Sequence, residues 1–491
     1  MYIPKLIPLL SLIFFALNIQ SQEICDVCLC KSGIINCSNK NISLDFNKTE
    51  LWLDQANNTI EVTELNFHNN HLGHVYPFPK LDIKKLDLST NRIVKIEAEA
   101  FKNLMDMEEL DLTENHLMSE FLTSDVFMGP YAPEDSEPLR SLKILRLSNN
   151  ALHSLHPDLF EHTDRIEVLM LDSNPFSVID RVTLIAISTL PRLRVLDLSN
   201  TDIKTLPLYM LHTPMHLEAL NLSNNEIQVL PKTLGDVHKL EWLSLSNNPI
   251  EKLSGPNNVF PVIPTLKVLH MSFMQKLQRV EKRALSGLQN LEELYMSDNP
   301  QLEYIDGYAL SRPANTDNSS TKIDEQEEIW PGLKVLEIQN NNLTRIDQHL
   351  VGNWPKLQHI DIRYNTLICD CDNQWIVSSL IFIIGGLHDG SLAHGVRCAS
   401  PIEMRGVNLT ELSEKNVHMR CLDLNGARPE RDGSVLIGIL IGVLLTIPIM
   451  MGIITFCYKK NFCGLINVSK SPADFSRSFY KRADMNDDNY I

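Results

Sequence analysis

The chain has no excess of basic charge. Its 491 residues carry 44 Lys and Arg against 61 Asp and Glu, a formal net charge of −17. Residues 1–22 and 459–491 are net positive, +1 and +2, and 434–458 carry none, which leaves −20 on residues 23–433. A bulk nucleic-acid or anionic-membrane surface needs a basic footprint, so the balance argues against nucleic acid as a partner while leaving a local basic patch open. Catalytic signatures are missing too: there is no nucleophile elbow, no H-E-x-x-H and no phosphate loop. The chain is read as not an enzyme, with no catalytic or metal residues and no cofactor. Long apolar runs are scarce, and the two that exist lie near the two ends.

The first run, Leu6–Leu17, follows Lys5 and precedes a polar stretch with small Ser21. It is too short to span a bilayer and reads as a secretory signal over 1–21. The second, Val435–Cys457, is uncharged for 23 residues. As a helix it reaches about 34 Å, enough to cross a hydrocarbon core. Lys459 and Lys460 follow at once, which predicts a cytoplasmic C-terminus, an extracellular N-terminus and a single pass at the plasma membrane. A lipid-anchor signal would end with its apolar stretch; here a polar tail follows.

Leucine and asparagine stand out because one pattern recurs, L-x-x-L-x-L-x-x-N-x-L. Clean copies begin at residues 83, 107, 142, 217, 240, 333 and 357, and looser ones at Val62, Ile166, Leu193, Leu266 and Leu291. Alternation on a short strand turns positions 4 and 6 inward and positions 3 and 5 outward. One such unit cannot bury its leucines alone, so twelve are expected to stack into a solenoid with a continuous core. The Asn at position 9 is expected to satisfy buried turn backbone. Position 9 is Thr201 in the sixth copy and Met274 in the ninth, and Leu277 and Leu302 come one residue late, which predicts a local irregularity.

On these repeats, residues 25–421 resemble extracellular leucine-rich-repeat membrane proteins with cysteine-rich caps. The resemblance implies an α/β-type solenoid, a leucine-rich-repeat horseshoe with a parallel concave β-sheet, and binding of an extracellular or cell-surface protein ligand. The expected organisation is an N-terminal cap over 23–61, repeats over 62–368, a C-terminal cap over 369–421, a stalk over 422–434, a transmembrane helix over 435–457 and a cytoplasmic tail over 458–491.

The cysteines fall in two quartets, Cys25, Cys28, Cys30, Cys37 and Cys369, Cys371, Cys398, Cys421, with Cys457 and Cys463 at the inner membrane face. Even clusters bracketing a secreted solenoid read as disulfide caps over its open ends. Zinc binding and a redox pair are the rival readings, and the secretory route argues against both. Spacing alone does not choose the pairing. The resemblance implies Cys25 with Cys30, Cys28 with Cys37, Cys369 with Cys398 and Cys371 with Cys421, with Trp375 packed on the last repeat.

Glycosylation sequons lie at Asn41, Asn47, Asn57, Asn221, Asn318, Asn342 and Asn408, with a weaker one at Asn36 beside Cys37 and a cytoplasmic one at Asn467 expected to stay bare. Asn221 falls at position 5, so a glycan there would shield the middle of the concave face. Outward positions are mostly polar, with a charged group at Lys84, Lys85, Asp87, Glu108, Glu109 and Asp111. Aromatic side chains gather in the eighth to tenth repeats, at Trp242, His270, Phe273 and Tyr295. Trp and Tyr are favoured interface anchors, so these four are the candidate ligand-binding residues; scattered surface aromatics are the alternative. Segments 118–141 and 311–332 are surface insertions, read as spacers ahead of binding loops.

Within the span, Gly438 and Gly442 form G-x-x-x-G, which allows close helix approach and a homodimer, or is an incidental pair. Cys457 and Cys463 are palmitoylation candidates or free thiols. The tail is too short for a catalytic domain, or for the intracellular domain of Toll-like receptors. Tyr480 and Tyr490 are candidate phosphorylation sites and Ile491 a candidate for a groove that captures C-termini, against a disordered tail as the default reading. The leading reading is a cell-surface binding protein in adhesion or recognition. The alternatives are a signalling receptor or co-receptor for a soluble ligand, acting through the tail tyrosines, and a matrix-organising protein.

Overall fold

Inward leucines at every fourth and sixth position force neighbouring units to share a core, and the chain stacks accordingly. A computed structural model describes residues 24–460, apart from 44–48, 54–59, 130, 133–134, 137–138, 256–257, 315–327, 352–354, 388 and 422–428. It divides into two compact units, Met1–Met419 and Arg420–Ile491.

The first unit is built on one 14-stranded sheet. Its first two strands, β1 (Leu29–Lys31) and β2 (Ile34–Asn36), form an antiparallel hairpin. Parallel to β2 run β3 (Glu64–Asn66), β4 (Lys85–Asp87), β5 (Glu109–Asp111), β6 (Ile144–Arg146), β7 (Val168–Met170) and β8 (Val195–Asp197). The sheet continues with β9 (Ala219–Asn221), β10 (Trp242–Ser244), β11 (Val268–His270), β12 (Glu293–Tyr295), β13 (Val335–Glu337) and β14 (His359–Asp361). Strands β3–β14 occupy positions 3–5 of the twelve repeats, and neighbours pair in register with no slip, as in Leu220 beside Leu243 beside Leu269. A slip of one residue would turn every leucine outward.

The fourth- and sixth-position side chains are buried throughout, from Leu65 and Phe67 to Ile360 and Ile362. On the opposite side of the early repeats an aromatic spine runs through Trp52, Phe78, Phe101 and Phe127, with ring centroids 6.4, 6.3 and 6.0 Å apart. The first contact stacks the cap on the first repeat, and the other two stack one repeat on the next. Phe127, with Leu122 and Val126, is fully buried, which corrects the reading of 118–141 as surface insertion. Its first half is the core-packing half of the third repeat, and a small hairpin pairing Tyr131–Ala132 with Asp135–Ser136 follows. The neck of the 311–332 segment is also paired, Arg312–Pro313 against Glu328–Ile329.

Position 9 supplies the polar joint between repeats. Asn91 Nδ2 donates to Leu88 O of its own repeat and Phe67 O of the preceding one, and its Oδ1 accepts from Leu72 N. Thr201 keeps part of this, donating from Oγ1 to Leu198 O at 2.7 Å. Met274 offers only its sulfur, 3.5 Å from Asn248 N. In the two repeats where leucine comes late, the joint shifts: Met274 N and Asn299 N themselves donate to the next asparagine. Leu277 and Leu302 stay buried, and a three-stranded parallel sheet (Lys252–Leu253, Arg279–Val280, Tyr304–Ile305) forms beside them.

Position 8 has a backbone demand that the consensus does not announce. In all twelve repeats it is left-handed, φ +52° to +60°, from Asn69 to Tyr364. Asn tolerates this region; bulky residues are outliers there. Phe273 and Tyr364 occupy it nonetheless, and both are exposed.

The second unit contains the helix Pro429–Lys460, within which Val435–Phe456 is long and apolar enough to cross a membrane. The helix begins six residues before the expected span, so 429–434, assigned to the stalk, are helical. Pro448 lies inside it.

Candidate ligand-binding face

The outward sheet positions form columns that cross the repeats. The second-position column, at the rim, alternates in sign. Glu108 contacts Lys84 at 4.0 Å and Lys143 at 2.8 Å, and Arg194 reaches Glu167 at 3.5 Å and Glu218 at 2.8 Å. Farther along, Lys267 pairs with Glu241 at 2.8 Å and Lys334 with Glu292 at 2.7 Å. The lysine beside Glu108 and the arginine beside Glu218 hold both carboxyls below the usual range. Glu109 lies between Lys85, at 3.2 Å, and Arg146. Both glutamates of the charged group at the start of the solenoid are therefore paired, with its own Lys84 and Lys85 and with Lys143 and Arg146 of the next repeat.

The third-position column corrects the expectation of a mostly polar face. Ile144, Val168, Val195, Ala219, Trp242 and Val268 sit side by side on β6–β11, each partly exposed. Trp242 interrupts this aliphatic strip, and the rings begin with it. Its centroid is 5.4 Å from that of His270, tilted by 49°. His270 stacks on Tyr295 at 4.4 Å with the planes 2° apart. Strands 4.7–4.9 Å apart deliver same-register rings at this distance. Burial makes the His270 imidazole harder to protonate than an ordinary histidine, against the pull of Glu293 and Glu337. Burial, with the hydroxyl donating to Glu293 at 2.8 Å, pushes Tyr295 up to about 12.

Phe273 does not join this cluster. At position 8 the chain has left the sheet, and no ring pairing among the described residues includes Phe273, which is 54% exposed. Asn221 does lie in the sheet, on β9, with Nδ2 donating to Asp197 at 2.9 Å and Oδ1 accepting from Ser223. Sequence reasoning missed Glu293 and Glu337. Their signal is an absent partner, which no pattern of residue types reveals.

The leucine rich repeat family model matches residues 82–130, 140–203, 191–250 and 331–377. Mouse podocan is 27% identical over 360 residues, covering 63% of this chain and 56% of podocan. Toll-like receptor 3 of Bos taurus is 26% identical over 326 residues, covering 62% of this chain and 32% of the receptor. Among solved structures, the glycosylated Toll–Spatzle complex of Drosophila is 21% identical over 74% of this chain and 55% of that chain, with a TM-score of 0.46. The fold is a leucine-rich-repeat solenoid. The chain spans little more than half of podocan and a third of the receptor.

The leucine-rich repeats end in bonded caps. Cys25 bonds Cys30 and Cys28 bonds Cys37 before them, and Cys369 bonds Cys398 after them. Cys371 and Cys421 are also disulfide-bonded. Trp375 sits partly buried against the core, and its Nε1 donates to Ile346 O at 2.6 Å. That hydrogen bond reaches the eleventh leucine-rich repeat. Asp370 caps the following turn, accepting from Asp372 N and Asn373 N, and also receives Arg345 at 3.1 Å.

Of the sequons, Asn41 and Asn342 are exposed and Asn36 is half-buried. Asn408 is half-buried just before the helix Leu409–Glu414, with its Oδ1 enclosed. Asn47, Asn57, Asn318, Asn467, Cys463, Tyr480, Tyr490 and Ile491 lie outside the described residues, as does the side chain of Cys457.

Proposed function

We propose that the chain is a single-pass cell-surface protein whose leucine-rich repeats bind a protein ligand, in adhesion or recognition. The observation that carries this is the Trp242–His270–Tyr295 ring cluster, alongside an aliphatic strip on an otherwise ion-paired face. Half-exposed rings on a rigid sheet are efficient anchors, because they offer large contact area at little ordering cost. The apolar helix, the lysines after it and the bonded caps support an extracellular N-terminal unit at the plasma membrane. The name Toll-like receptor 3 is in keeping with a recognition role. In this reading Asn41 and Asn342 carry glycans, and the concave face is the contact surface.

The test displays the full chain on cells and probes it with an array of purified extracellular proteins. Trp242→Ala with Tyr295→Ala is expected to abolish capture of whichever protein binds the unaltered chain, with surface level unchanged. Unchanged capture overturns the assignment of the face. Clumping of cells displaying the chain would favour adhesion. Ligand-induced phosphate on Tyr480 or Tyr490 would favour a signalling receptor instead.

A further inference from the structure

Concave glutamates past the first repeat fall into two groups; Glu64, on β3 of the first repeat, is simply exposed to water. The five in the rim column and Glu109 each have a lysine or arginine beside them. Glu293 and Glu337 do not: among the described residues no Lys or Arg forms an ion pair with either. Glu293 accepts from the Tyr295 hydroxyl. Glu337 has Gln339 Nε2 at 3.3 Å and His359 Nε2 at 3.4 Å, and only 27% of its side chain is exposed. A carboxylate withdrawn from water this far is normally compensated by a full positive charge.

Strand register gathers both around one ring. Tyr295 has His270 at the same level on β11 and Glu337 at the same level on β13. Glu293 is two residues earlier on its own strand, on the same side of the sheet. The imidazole covers one side of the tyrosine ring at 4.4 Å. The other side looks toward the strand of Glu337. A ring beside two uncompensated carboxylates is a setting for an organic cation, above all a planar guanidinium, which stacks and hydrogen-bonds at once.

The geometry points to a subsite for an arginine or lysine side chain of a protein ligand, between Tyr295 and Glu337 and closed at one end by Glu293. The inference rests on the protein-binding reading above and adds the partner's chemistry, a segment bearing positive charge at its contact point. The net charge of −17 favours approach of such a segment through the long-range field. The ion-paired rim offers it no competing free carboxylate of the same kind.

The experiment uses the full chain in lipid nanodiscs and three 12-residue peptides on one neutral frame, with arginines, lysines or glutamates at the same positions. Binding is read by interferometry. The arginine peptide is expected to bind best and the glutamate peptide not at all. Glu293→Gln with Glu337→Gln is expected to weaken the arginine peptide about tenfold. A control with the same charge loss elsewhere, Glu226→Gln with Glu251→Gln, both exposed off the sheet, is expected to leave it unchanged. Equal loss in the control, no loss in the Glu293/Glu337 variant, equal binding of the glutamate peptide, or no peptide binding overturns the subsite. If ring removal still abolishes protein capture in the array while these peptides fail, the subsite is wrong and the binding face stands. If ring removal leaves capture unchanged, the face itself is wrong, whatever the peptides do.

Discussion

Replacing Asn174 by alanine should open a joint in the middle of the solenoid, and the hydrogen bonds say by how much. Asn174 is buried; its Oδ1 accepts from Leu152 N at 3.1 Å, and its Nδ2 donates to Leu147 O, Leu171 O and Asp172 O. Leu147 O also receives Asn150, so it stays bonded in the variant. Leu152 N and Leu171 O have no other partner among the described residues, because the next repeat carries Thr201, which reaches Leu198 O instead. Two buried backbone groups are orphaned at about 1–3 kcal/mol each, roughly 2–6 kcal/mol in all. Asn150→Ala is the matched comparison. Its carbonyl partners Leu112 O and Leu147 O are held also by Asn115 and Asn174, so only Leu117 N is orphaned. Its expected cost is about half as large. Hydrogen exchange on the full chain, followed by mass spectrometry of peptides spanning 112–120, 145–155 and 165–176, reads the difference. Exchange should accelerate by about one and a half to four orders of magnitude in Asn174→Ala and by clearly less in Asn150→Ala. Equal acceleration in the two variants would refute the counting of orphaned groups as the source of the asparagine's value.

Other outcomes follow from the same coordinates. Phe273→Asn removes a ring from left-handed backbone and gives position 8 its commonest residue, so thermal unfolding should shift upward, by up to about 1 kcal/mol. Gly287→Ala should prevent folding or cut surface expression, since the added carbon would lie 2.2 Å from Pro261 O, a backbone atom that cannot swing away. His270 should titrate below an ordinary histidine in an NMR pH series, because burial disfavours its charged form. Its folded value lies below its unfolded one, so its contribution to stability is complete above the unfolded value. That contribution is lost as pH falls from there toward the folded value. An ordinary or raised midpoint would mean that the stack with Tyr295 is not maintained in solution.

The strands were legible because their signal is repeated. Leucines at positions 4 and 6 fix both period and phase, and each copy corroborates the others. The asparagine joint followed from the need to pair buried backbone. Phe273 was misplaced for a local reason: it is three residues past His270, as if still on the same surface, but the left-handed turn carries it off the sheet. The rim ion pairs were hidden by the same spacing that revealed the repeats. Glu108 and Lys143 are 35 residues apart, and only alignment of the strands makes them neighbours. The buried first half of segment 118–141 was missed because its apolar residues Leu122, Val126 and Phe127 do not follow the strand alternation; they sit in and beside short 3-10 turns.

The rim column has a parity. Lys84, Glu108, Lys143, Glu167, Arg194 and Glu218 alternate without a break, and Glu241, Lys267, Glu292 and Lys334 alternate again after it. Loss or gain of a single unit inside either run would bring two like charges face to face. A change by two units would leave every neighbour complementary. The one place where the phase has slipped is between Glu218 and Glu241, where Lys239, its ammonium 3.0 Å from His216 Nδ1, supplies positive charge beside Glu218. The ladder therefore works as a length code: it stabilises each junction modestly, but it permits this solenoid to grow or shrink most readily by pairs, or singly at that seam.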